Sequence, residues 1–401
     1  MKVLLIDVNC KNSSTGKIVY DLYTRLRQDG HRCAICYGRG AQVDEEDIYK
    51  FGLDWETNLH AGLARLTGLN GCFSAFSTDR LLRFLEAFQP DVVHIHELHA
   101  YFVNIGPVLR YLKKKNIPVV WTFHCAYMYT GKCGVPFDCQ KWQTGCKGCP
   151  RVQDYPKSLL LDFAAPMLHW KRKLLQDLNF TVVTPSCFLA DQVKKSFLQD
   201  KPIRIIPNGI DTQSVFYPRV QQQCDALRQQ YGLANKKVIL SVAPGIMTEQ
   251  KGGQTVLALS KNFVGENVHF VLIGAEENDT PAPNVTMLKR TADQQELSLW
   301  YSAADVFLIC SQYENFPTTC LEAMCCGTPV VGLDNGGTKE TAPAPYGLFV
   351  NSKDMQALKE AVLTQMEEKA NAATIACTGA ALYDKDVMYR AYLALYEKES
   401  Q

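Results

Sequence analysis

Apolar runs alternate with amphipathic stretches at the start of the chain. Residues 2–8 and 31–37 are nearly continuous apolar runs, typical of strands buried on both faces of a sheet. Between them, residues 17–28 place apolar side chains at helical spacing, at Ile18, Leu22 and Leu26. This order of strand, helix and strand predicts a parallel, doubly wound sheet. No Gly-x-Gly-x-x-Gly follows the first strand, which argues against an NAD-type site.

The same pattern recurs along the rest of the chain in two series. The first predicts further strands at 91–95, 118–123 and 180–184. The second begins after Asp211, with a helix at 254–261 and strands at 237–242, 268–273, 285–288, 306–309 and 329–332. We therefore expect an α/β protein of two Rossmann-like domains facing across a cleft, with a boundary near 200–215, around Pro202 and residues 207–209.

The most informative segment runs from Ser311 to Val331. It predicts a loop and a short helix, which Pro317 opens and Gly327 ends, between two buried strands. Helix-opening amides have no helical acceptors, so those at 318–320 (Thr318, Thr319, Cys320) are expected to hold a phosphate. Glu322 lies one turn below Thr318 on the same face, and Glu314 stands in the loop before the helix. The alternative is a pair of solvated glutamates at the helix ends.

This segment resembles the signature of the retaining nucleotide-sugar glycosyltransferases of family four. That signature is a Glu, seven residues and a second Glu, followed by Gly-Thr-Pro-Val-Val, and residues 314–331 carry all of it. The resemblance implies the GT-B architecture, with acceptor-side domain 1–203, donor domain 204–380 and a last segment, 381–401, whose helix crosses back to the first domain. Tyr383–Glu397 fits that helix, with Val387, Tyr389, Tyr392, Leu395 and Tyr396 as its apolar contacts.

The resemblance also implies roles for individual residues. Glu314 would bind sugar hydroxyls and stabilise an oxocarbenium-like transition state, while Glu322 would hold the ribose. The leaving diphosphate itself is thought to take the acceptor proton, so the reaction requires no protein nucleophile and no catalytic metal. Contacts to the base are largely made by backbone, here near residues 288–291, so the side chains do not identify it.

Lys251 is expected to bind the diphosphate. It is followed by Gly252 and Gly253, which allow close approach to phosphates. Family members place a Lys-Gly there, usually with an Arg five residues earlier, where this chain has Ile246. A solvated surface lysine is the alternative.

Three further residues match positions that the family uses. Gly16 lies in the first strand–helix loop, near the donor phosphates in the family, although an ordinary helix-start loop also fits. Asn208 is expected to line the cleft, although Asn-Gly is also a turn signal. His124 follows a strand, where an imidazole can bind a sugar hydroxyl or stabilise positive charge at the anomeric carbon.

His94, His96 and His99 follow one another closely in the chain. His94 and His96 share one face of a strand. A metal site there would need a further ligand, so polar roles at the strand end are favoured.

Residues 131–150 form a cysteine-rich insert with few aliphatic side chains. Its four cysteines, Cys133, Cys139, Cys146 and Cys149, could bind a structural zinc that supplies the missing stability. Free thiols and two disulfides are the alternatives, and a reducing compartment disfavours the disulfides. Trp121–His124, Thr130–Cys133 and Cys149–Pro150 also resemble motifs of the colanic-acid and capsule subgroup of the family.

Composition narrows the setting. The chain has 401 residues, 47% hydrophobic and 21% charged, which is ordinary for globular domains. It shows neither a signal peptide nor an 18-residue apolar run, so we expect a cytoplasmic protein. Residues 111–200 hold 13 Lys and Arg against 6 Asp and Glu. A cationic first domain could dock on the inner face of the cell membrane, where family members often use lipid-linked acceptors. No stacking motif supports nucleic acid, and solvated helix faces are the remaining alternative.

Taken together, these features predict a metal-independent hexosyltransferase of surface polysaccharide biosynthesis. It would move a sugar from a nucleoside-diphosphate sugar to a saccharide acceptor, which we expect to be lipid-linked, with retention of configuration. A nucleotide-sugar epimerase of the same architecture and a non-catalytic scaffold are the alternatives.

Overall fold

The apolar runs of the first series form one parallel sheet in the computed structural model, which describes residues 1–276, 282–351, 354–367 and 371–400. Seven strands align in the order β3-β2-β1-β4-β5-β6-β7. Their bounds are β1 Lys2–Asp7, β2 Arg32–Tyr37, β3 Ile48–Lys50, β4 Val92–Ile95, β5 Val119–Thr122, β6 Phe180–Thr184 and β7 Ile203–Ile205. The helices are α1 Ser14–Gln28, α2 Asp54–Thr67, α3 Ala75–Phe88, α4 Ile105–Lys115, α5 Lys141–Thr144, α6 Ala164–Leu175 and α7 Cys187–Lys194.

The second series forms a separate parallel sheet of six strands, in the order β10-β9-β8-β11-β12-β13. Its strands are β8 Lys237–Val242, β9 Val268–Ala275, β10 Val285–Lys289, β11 Val306–Ile309, β12 Val330–Leu333 and β13 Gly347–Val350. The helices are α8 Gln221–Gln230, α9 Gly253–Lys261, α10 Gln294–Ala303, α11 Thr318–Cys325, α12 Met355–Glu367, α13 Ala372–Tyr383 and α14 Lys385–Glu399.

Two compact units divide the chain. The first contains 1–207 and 389–401, and the second contains 208–388. Both sheets are apolar on their two faces because helices cover each side, as the continuous apolar runs predict. The α/β fold class with two Rossmann-like sheets is therefore confirmed.

The last helix, α14, belongs to both units. From Tyr389 onward it packs with the first, through tyrosine hydroxyls that bond to Asp29 (2.7 Å), Thr122 (2.7 Å) and His94 (2.6 Å). The tyrosines concerned, and Leu395 between them, are buried. The prediction that Val387 is an apolar contact of this helix is wrong, because its side chain is exposed.

Candidate functional site

The signature segment folds at the carboxyl end of β11 in the second unit. The chain leaves the sheet after Ile309, and α11 begins at Thr318 with Pro317 as its N-cap residue. The prediction of a strand, a loop and a short helix is confirmed here. The expectation that the Cys320 amide has no partner is wrong, because it donates to the Pro317 carbonyl in a tight first turn (3.2 Å). Any anion site at this helix start would therefore use the amides of Thr318 and Thr319.

Lys251 and Glu314, predicted separately, lie together. The Lys251 ammonium is 2.7 Å from a Glu314 carboxylate oxygen, and their side chains are 25% and 17% exposed. A pair this accessible can exchange partners, because solvent reaches both charges. An incoming diphosphate could take the ammonium from Glu314 and free the carboxylate to accept from hydroxyls.

Two glycines allow this approach. Gly252 has a φ of 72°, and a Cβ there would lie 1.9 Å from the Cys310 carbonyl oxygen. Gly336 has a φ of 68°, and its Cβ would lie 2.1 Å from the Glu314 carbonyl oxygen. The Gly337 amide then donates to that same oxygen of Glu314 (2.8 Å). The backbone on each side of the ion pair is therefore packed too closely for any side chain.

Glu322 is positioned by a residue that the sequence did not indicate. The hydroxyl of Tyr301, a fully buried residue of α10, donates to Glu322 Oε2 (2.8 Å). This bond holds a half-buried carboxylate one turn into α11. The fixed carboxylate is suited to accept from the two neighbouring hydroxyls of a ribose.

Ile246 is buried in the core beside β8 and β9. A guanidinium pointing the same way would be buried among aliphatic side chains without water. The apolar residue at this position therefore fits its surroundings, and the second unit is built without the charge that the family usually has there.

A second polar cluster forms at the carboxyl ends of β1, β4 and β5 in the first unit. His99 and Glu97 form a buried ion pair, and the Cys125 thiol donates to Glu97 Oε2 (3.6 Å). Burial opposes both charges, but their attraction outweighs it, so the pKa of Glu97 is lowered and that of His99 raised. Burial, helped by the Glu97 charge, raises the pKa of Asp7 to about 7.

Metal-ligand geometry separates this cluster from the other candidates. Across the described residues, Glu97, His99 and Cys125 are the one group of three such side chains whose ligand atoms all lie within 4.8 Å of one another. His94 and His96 do not join it. The mutual ion pair already accounts for the two charged members, so we assign no metal there.

Three further histidines of the first unit, His94, His96 and His124, lie next to one another and are neutral. His94 in β4 and His96, just after the end of that strand, have ring centroids 4.0 Å apart, as the strand periodicity predicts. His96 Nδ1 lies 3.0 Å from His124 Nε2, so His124 is held by its neighbour. Burial lowers the pKa of all three, which leaves uncharged imidazoles near neutral pH.

Gly16 and Asn208 have clear structural roles. The Gly16 amide donates to Ser13 Oγ (2.9 Å) and so caps α1, and a Cβ on Gly16 would crowd Asn9 and Lys11. Asn208 is buried at the start of the second unit. Their predicted part in donor binding stays a prediction.

All four cysteines of the insert border one small pocket, which Trp142 also lines. The Gly131 amide donates to Cys146 Sγ (3.3 Å). The thiols of Cys133 and Cys149 are hydrogen-bonded, which lowers the pKa of Cys149 to about 6. No three of the four sulfurs lie within 4.8 Å of one another in this part of the described chain, so metal binding would require the thiols to rotate.

Two lysines that were expected on a cationic surface are buried instead. The Lys171 ammonium lies 2.5 Å from the Tyr127 carbonyl oxygen and 3.4 Å from the centre of its ring, and burial lowers its pKa to about 7. Lys132 similarly donates to three carbonyls, those of Arg151, Val152 and Asp154. These ammonium groups therefore bond to backbone carbonyls on either side of the insert and hold its flanking loops together.

Asp7, Glu97, Cys125 and Tyr301 were missed as site residues. Asp7, Glu97 and Cys125 lie at or just after the ends of β1, β4 and β5, which are neighbours in the sheet. The signal that could have found them is the short group of polar residues at the end of each apolar run, combined with the strand order.

Comparisons with known proteins identify the family of each half of the chain. A model of Glycosyltransferase Family 4 matches residues 15–214, and one of Glycosyl transferases group 1 matches residues 224–378. A putative colanic acid biosynthesis glycosyl transferase, WcaC of Escherichia coli K12, is 24% identical, over 99% of this chain and all of that protein. An α-1,3-N-acetylgalactosaminyltransferase of Campylobacter jejuni is named for a diphospho-undecaprenol substrate. It is 23% identical to this chain, over 59% of this chain and 66% of the length of that protein.

Solved structures share the fold over the whole chain. Sucrose-phosphate synthase of Thermosynechococcus elongatus superposes with a TM-score of 0.72 at 19% identity, covering 99% of this chain and 98% of that one. Anabaena HepE in complex with UDP-glucose gives 0.67 at 16% identity, covering 99% and 100%. With both family models matched in order along its two sheets, the chain belongs to the family-four, group-1 glycosyltransferases of the GT-B fold.

Proposed function

We propose that this protein transfers a hexose from a nucleoside-diphosphate sugar to a lipid-linked saccharide, with retention of configuration, during assembly of a surface polysaccharide. The observation that carries the proposal is the Lys251–Glu314 pair, 2.7 Å apart, beside the start of α11. It offers one cation for a diphosphate and one carboxylate for sugar hydroxyls. HepE was solved with UDP-glucose, and WcaC is named for polysaccharide biosynthesis, which supports the substrate classes.

Lys251 would act on the leaving group. Its ammonium and the amides of Thr318 and Thr319 would neutralise the charge that develops as the sugar–phosphate bond breaks. A divalent metal does this work in other transferases, so we expect turnover to survive chelation by EDTA. Glu322, held by Tyr301, would accept from the ribose hydroxyls.

Glu314 would change partners during the cycle. Once phosphate takes Lys251, its carboxylate can accept from hydroxyls of the transferred sugar and stabilise positive charge at the anomeric carbon. The neutral His124 would contribute a hydrogen bond to a sugar hydroxyl, and the diphosphate oxygen would receive the acceptor proton. Gly16 would allow close approach of the donor and Asn208 would contact it.

The test is incubation with UDP-, GDP-, ADP- and TDP-sugars, with and without lipid-linked saccharide. We expect release of nucleoside diphosphate that depends on acceptor, and NMR of the product should show the donor's anomeric configuration. A new nucleotide-sugar isomer would instead identify an epimerase. Failure of every donor to bind in calorimetry would contradict transfer altogether and favour a scaffold.

We also propose a structural zinc in the cysteine pocket. Four thiols border it, the Gly131 amide already donates to one sulfur, and one thiol of the Cys133–Cys149 pair has a pKa low enough to supply a thiolate. Elemental analysis of untagged protein should give one zinc per chain, and cobalt replacement should give a tetrahedral thiolate spectrum. Cys133→Ser should lose the metal, and Cys187→Ser, at an exposed cysteine outside the insert, should keep it. Native protein free of zinc would contradict the site.

The described helices contain none that is long and apolar enough to cross a bilayer. We propose that the protein works at the inner face of the cell membrane as a peripheral enzyme, because its acceptor would be held there.

A further inference from the structure

Helix α2 turns polar residues toward the protein interior and apolar residues toward the surface. Its buried face consists of Glu56, Thr57, His60 and Ala64. Its exposed face carries Trp55, Leu59 and Leu66, which the helical repeat places on one stripe, and Trp55 is 56% exposed. Surface helices normally turn their apolar stripe toward the core. The reversal indicates that this stripe faces an apolar medium when the protein works.

The polar side of α2 is fully used inside the protein. Glu56 accepts from the amides of Phe76 (2.9 Å) and Ser77 (2.7 Å) and so holds the first turn of α3. His60 bonds to Ser74 (2.8 Å) and to the Gly71 amide (3.1 Å). These contacts fix the orientation of the helix, so the apolar stripe cannot turn inward without breaking them.

The exposed apolar area extends beyond α2. Phe76, 64% exposed, lies 5.9 Å from the Trp55 ring. At the other end, the Leu159 amide donates to the Arg65 carbonyl (2.7 Å), which places the turn containing Leu160 and Leu161 against the end of α2. Leu160 is 73% exposed. We call this set the apolar face: Trp55, Leu59, Leu66, Phe76, Leu160 and Leu161.

Charge near the apolar face favours an anionic surface. Arg65 and Lys157 are exposed beside it. Of the nearby acids, Asp54 pairs with Lys50 (2.9 Å) and Asp154 with Arg151 (2.7 Å). Asp162, next to Leu161, accepts from the amides of Cys149 (2.8 Å) and Ala164 (3.0 Å). Aromatic and leucine side chains with basic neighbours are the composition of surfaces that insert into the headgroup region of a bilayer.

The apolar face borders the polar cluster of the first unit. Tyr155, a half-exposed residue in the same loop as Leu160, packs edge-on against the His99 ring, with ring centroids 6.0 Å apart. His99 in turn pairs with Glu97. A lipid whose tail stays in the bilayer could therefore bring a sugar headgroup within reach of these two side chains.

We propose that the apolar face docks on an anionic lipid bilayer and that Glu97 and His99 bind the saccharide headgroup of the lipid-linked acceptor. The second half of this proposal rests on the proposed function. It replaces the docking surface expected from sequence, the basic helices, with an apolar one that basic residues assist.

Co-sedimentation with vesicles tests the docking. The full chain is mixed with vesicles of phosphatidylcholine containing about one-third phosphatidylglycerol. The triple variant Trp55→Ser/Leu59→Ser/Leu160→Ser is expected to bind at least about tenfold more weakly than the natural chain, since each removes a large side chain from the lipid. The matched control is Val220→Ser/Val264→Ser/Leu382→Ser, three exposed apolar residues of the second unit, and it should bind unchanged.

Two further arms make the outcome decisive. Thermal unfolding should be equal in the natural chain and both triple variants, since all six positions are exposed. If the apolar-face variant fails to fold, the single variant Leu160→Ser takes its place in the sedimentation assay. Size-exclusion chromatography should show no change in oligomeric state. Equal sedimentation of the apolar-face variant and the natural chain, or a dimer that only the apolar-face variant loses, overturns the proposal.

The headgroup half is tested separately. Glu97→Gln should raise the KM for lipid-linked acceptor about tenfold or more while donor binding by calorimetry stays unchanged. An unchanged KM would overturn the assignment of Glu97. Loss of donor binding in the natural chain would instead contradict the proposed function and leave vesicle docking standing.

Discussion

The two sheets each end in a polar edge, but they assemble it differently. In the second unit, Glu314, Thr318 and Glu322 come from one short segment, while Lys251 and Tyr301 are brought from elsewhere. In the first unit, Asp7, Glu97 and Cys125 come from three strand ends spread over more than a hundred residues. Site residues that lie in one segment can be recognised from the sequence. Site residues that come from several strands can be recognised only when the order of those strands in the sheet is known.

The edges also differ in charge. The Lys251–Glu314 pair is partly exposed and can exchange its partner for an anion. In the first unit the ion pair is less exposed, with side chains 18% and 9% accessible, and the histidines His94, His96 and His124 are neutral. Burial there also raises the pKa of Asp7 to about 7. The difference suggests that the charged leaving group is handled by the second unit, while the first offers hydrogen bonds to neutral hydroxyls.

The largest effect should come from removing the cation of the second unit. Lys251→Ala is expected to lower kcat/KM at least about 100-fold, roughly 3 kcal/mol, because the leaving diphosphate loses its counter-charge. Steady-state kinetics and donor calorimetry measure it. Lys261→Ala, an exposed lysine at the end of α9, is the control and should behave as the natural chain. Equal turnover in both variants would refute the division of labour between the edges.

In the first unit, the raised pKa of Asp7 should appear as a pH-dependent stability. Its folded pKa of about 7 exceeds the unfolded value of 3.8, so the folded protein binds more protons between these values and stability falls as pH rises from about 4 to 7. Between these pH values the natural chain should lose up to roughly 3 kcal/mol of its free energy of unfolding through Asp7, and Asp7→Asn should abolish that loss. Unfolding by urea at pH 5 and pH 8 measures it, with the exposed Asp200→Asn as control. Parallel pH slopes in all three proteins would show that Asp7 is ionised.

A smaller effect is expected from removing the hydrogen bond that positions Glu322 in the second unit. Tyr301→Phe removes the hydrogen bond to Glu322 and should raise the donor KM about fivefold, near 1 kcal/mol, with little change in kcat. Tyr231→Phe, whose ring packs on Trp300 of the same helix as Tyr301, is the control. A drop in kcat alone would place Glu322 nearer the reacting atoms than the ribose.

Much of the fold could be predicted because buried parallel strands are written as continuous apolar runs. Strands β6, β8 and β11 were predicted to the residue, and others to within two. The edge strands β3, β7 and β13 were missed because they are short and β7 is largely exposed, so they lack that apolar signature.

The candidate site, like the fold, could be predicted only in part from the sequence. Lys251 and Glu314 lie together because Gly252 and Gly336 allow neighbouring backbone segments to pack closely. The sequence shows where these glycines are, but it does not show which backbone segments meet at them. The inverted α2 could not be predicted at all, because helical periodicity identifies an apolar stripe without saying whether it faces protein or lipid.

The tyrosines of α14 have a consequence for how the molecule is made. Residues 1–207 are synthesised before residues 208–388, yet Asp29, His94 and Thr122 receive hydroxyl partners only from the segment 389–401. The first unit is therefore begun before the second unit and completed after it. A chain truncated before Tyr389 would keep residues 208–388 and would leave these three side chains of the first unit without the tyrosine hydroxyls.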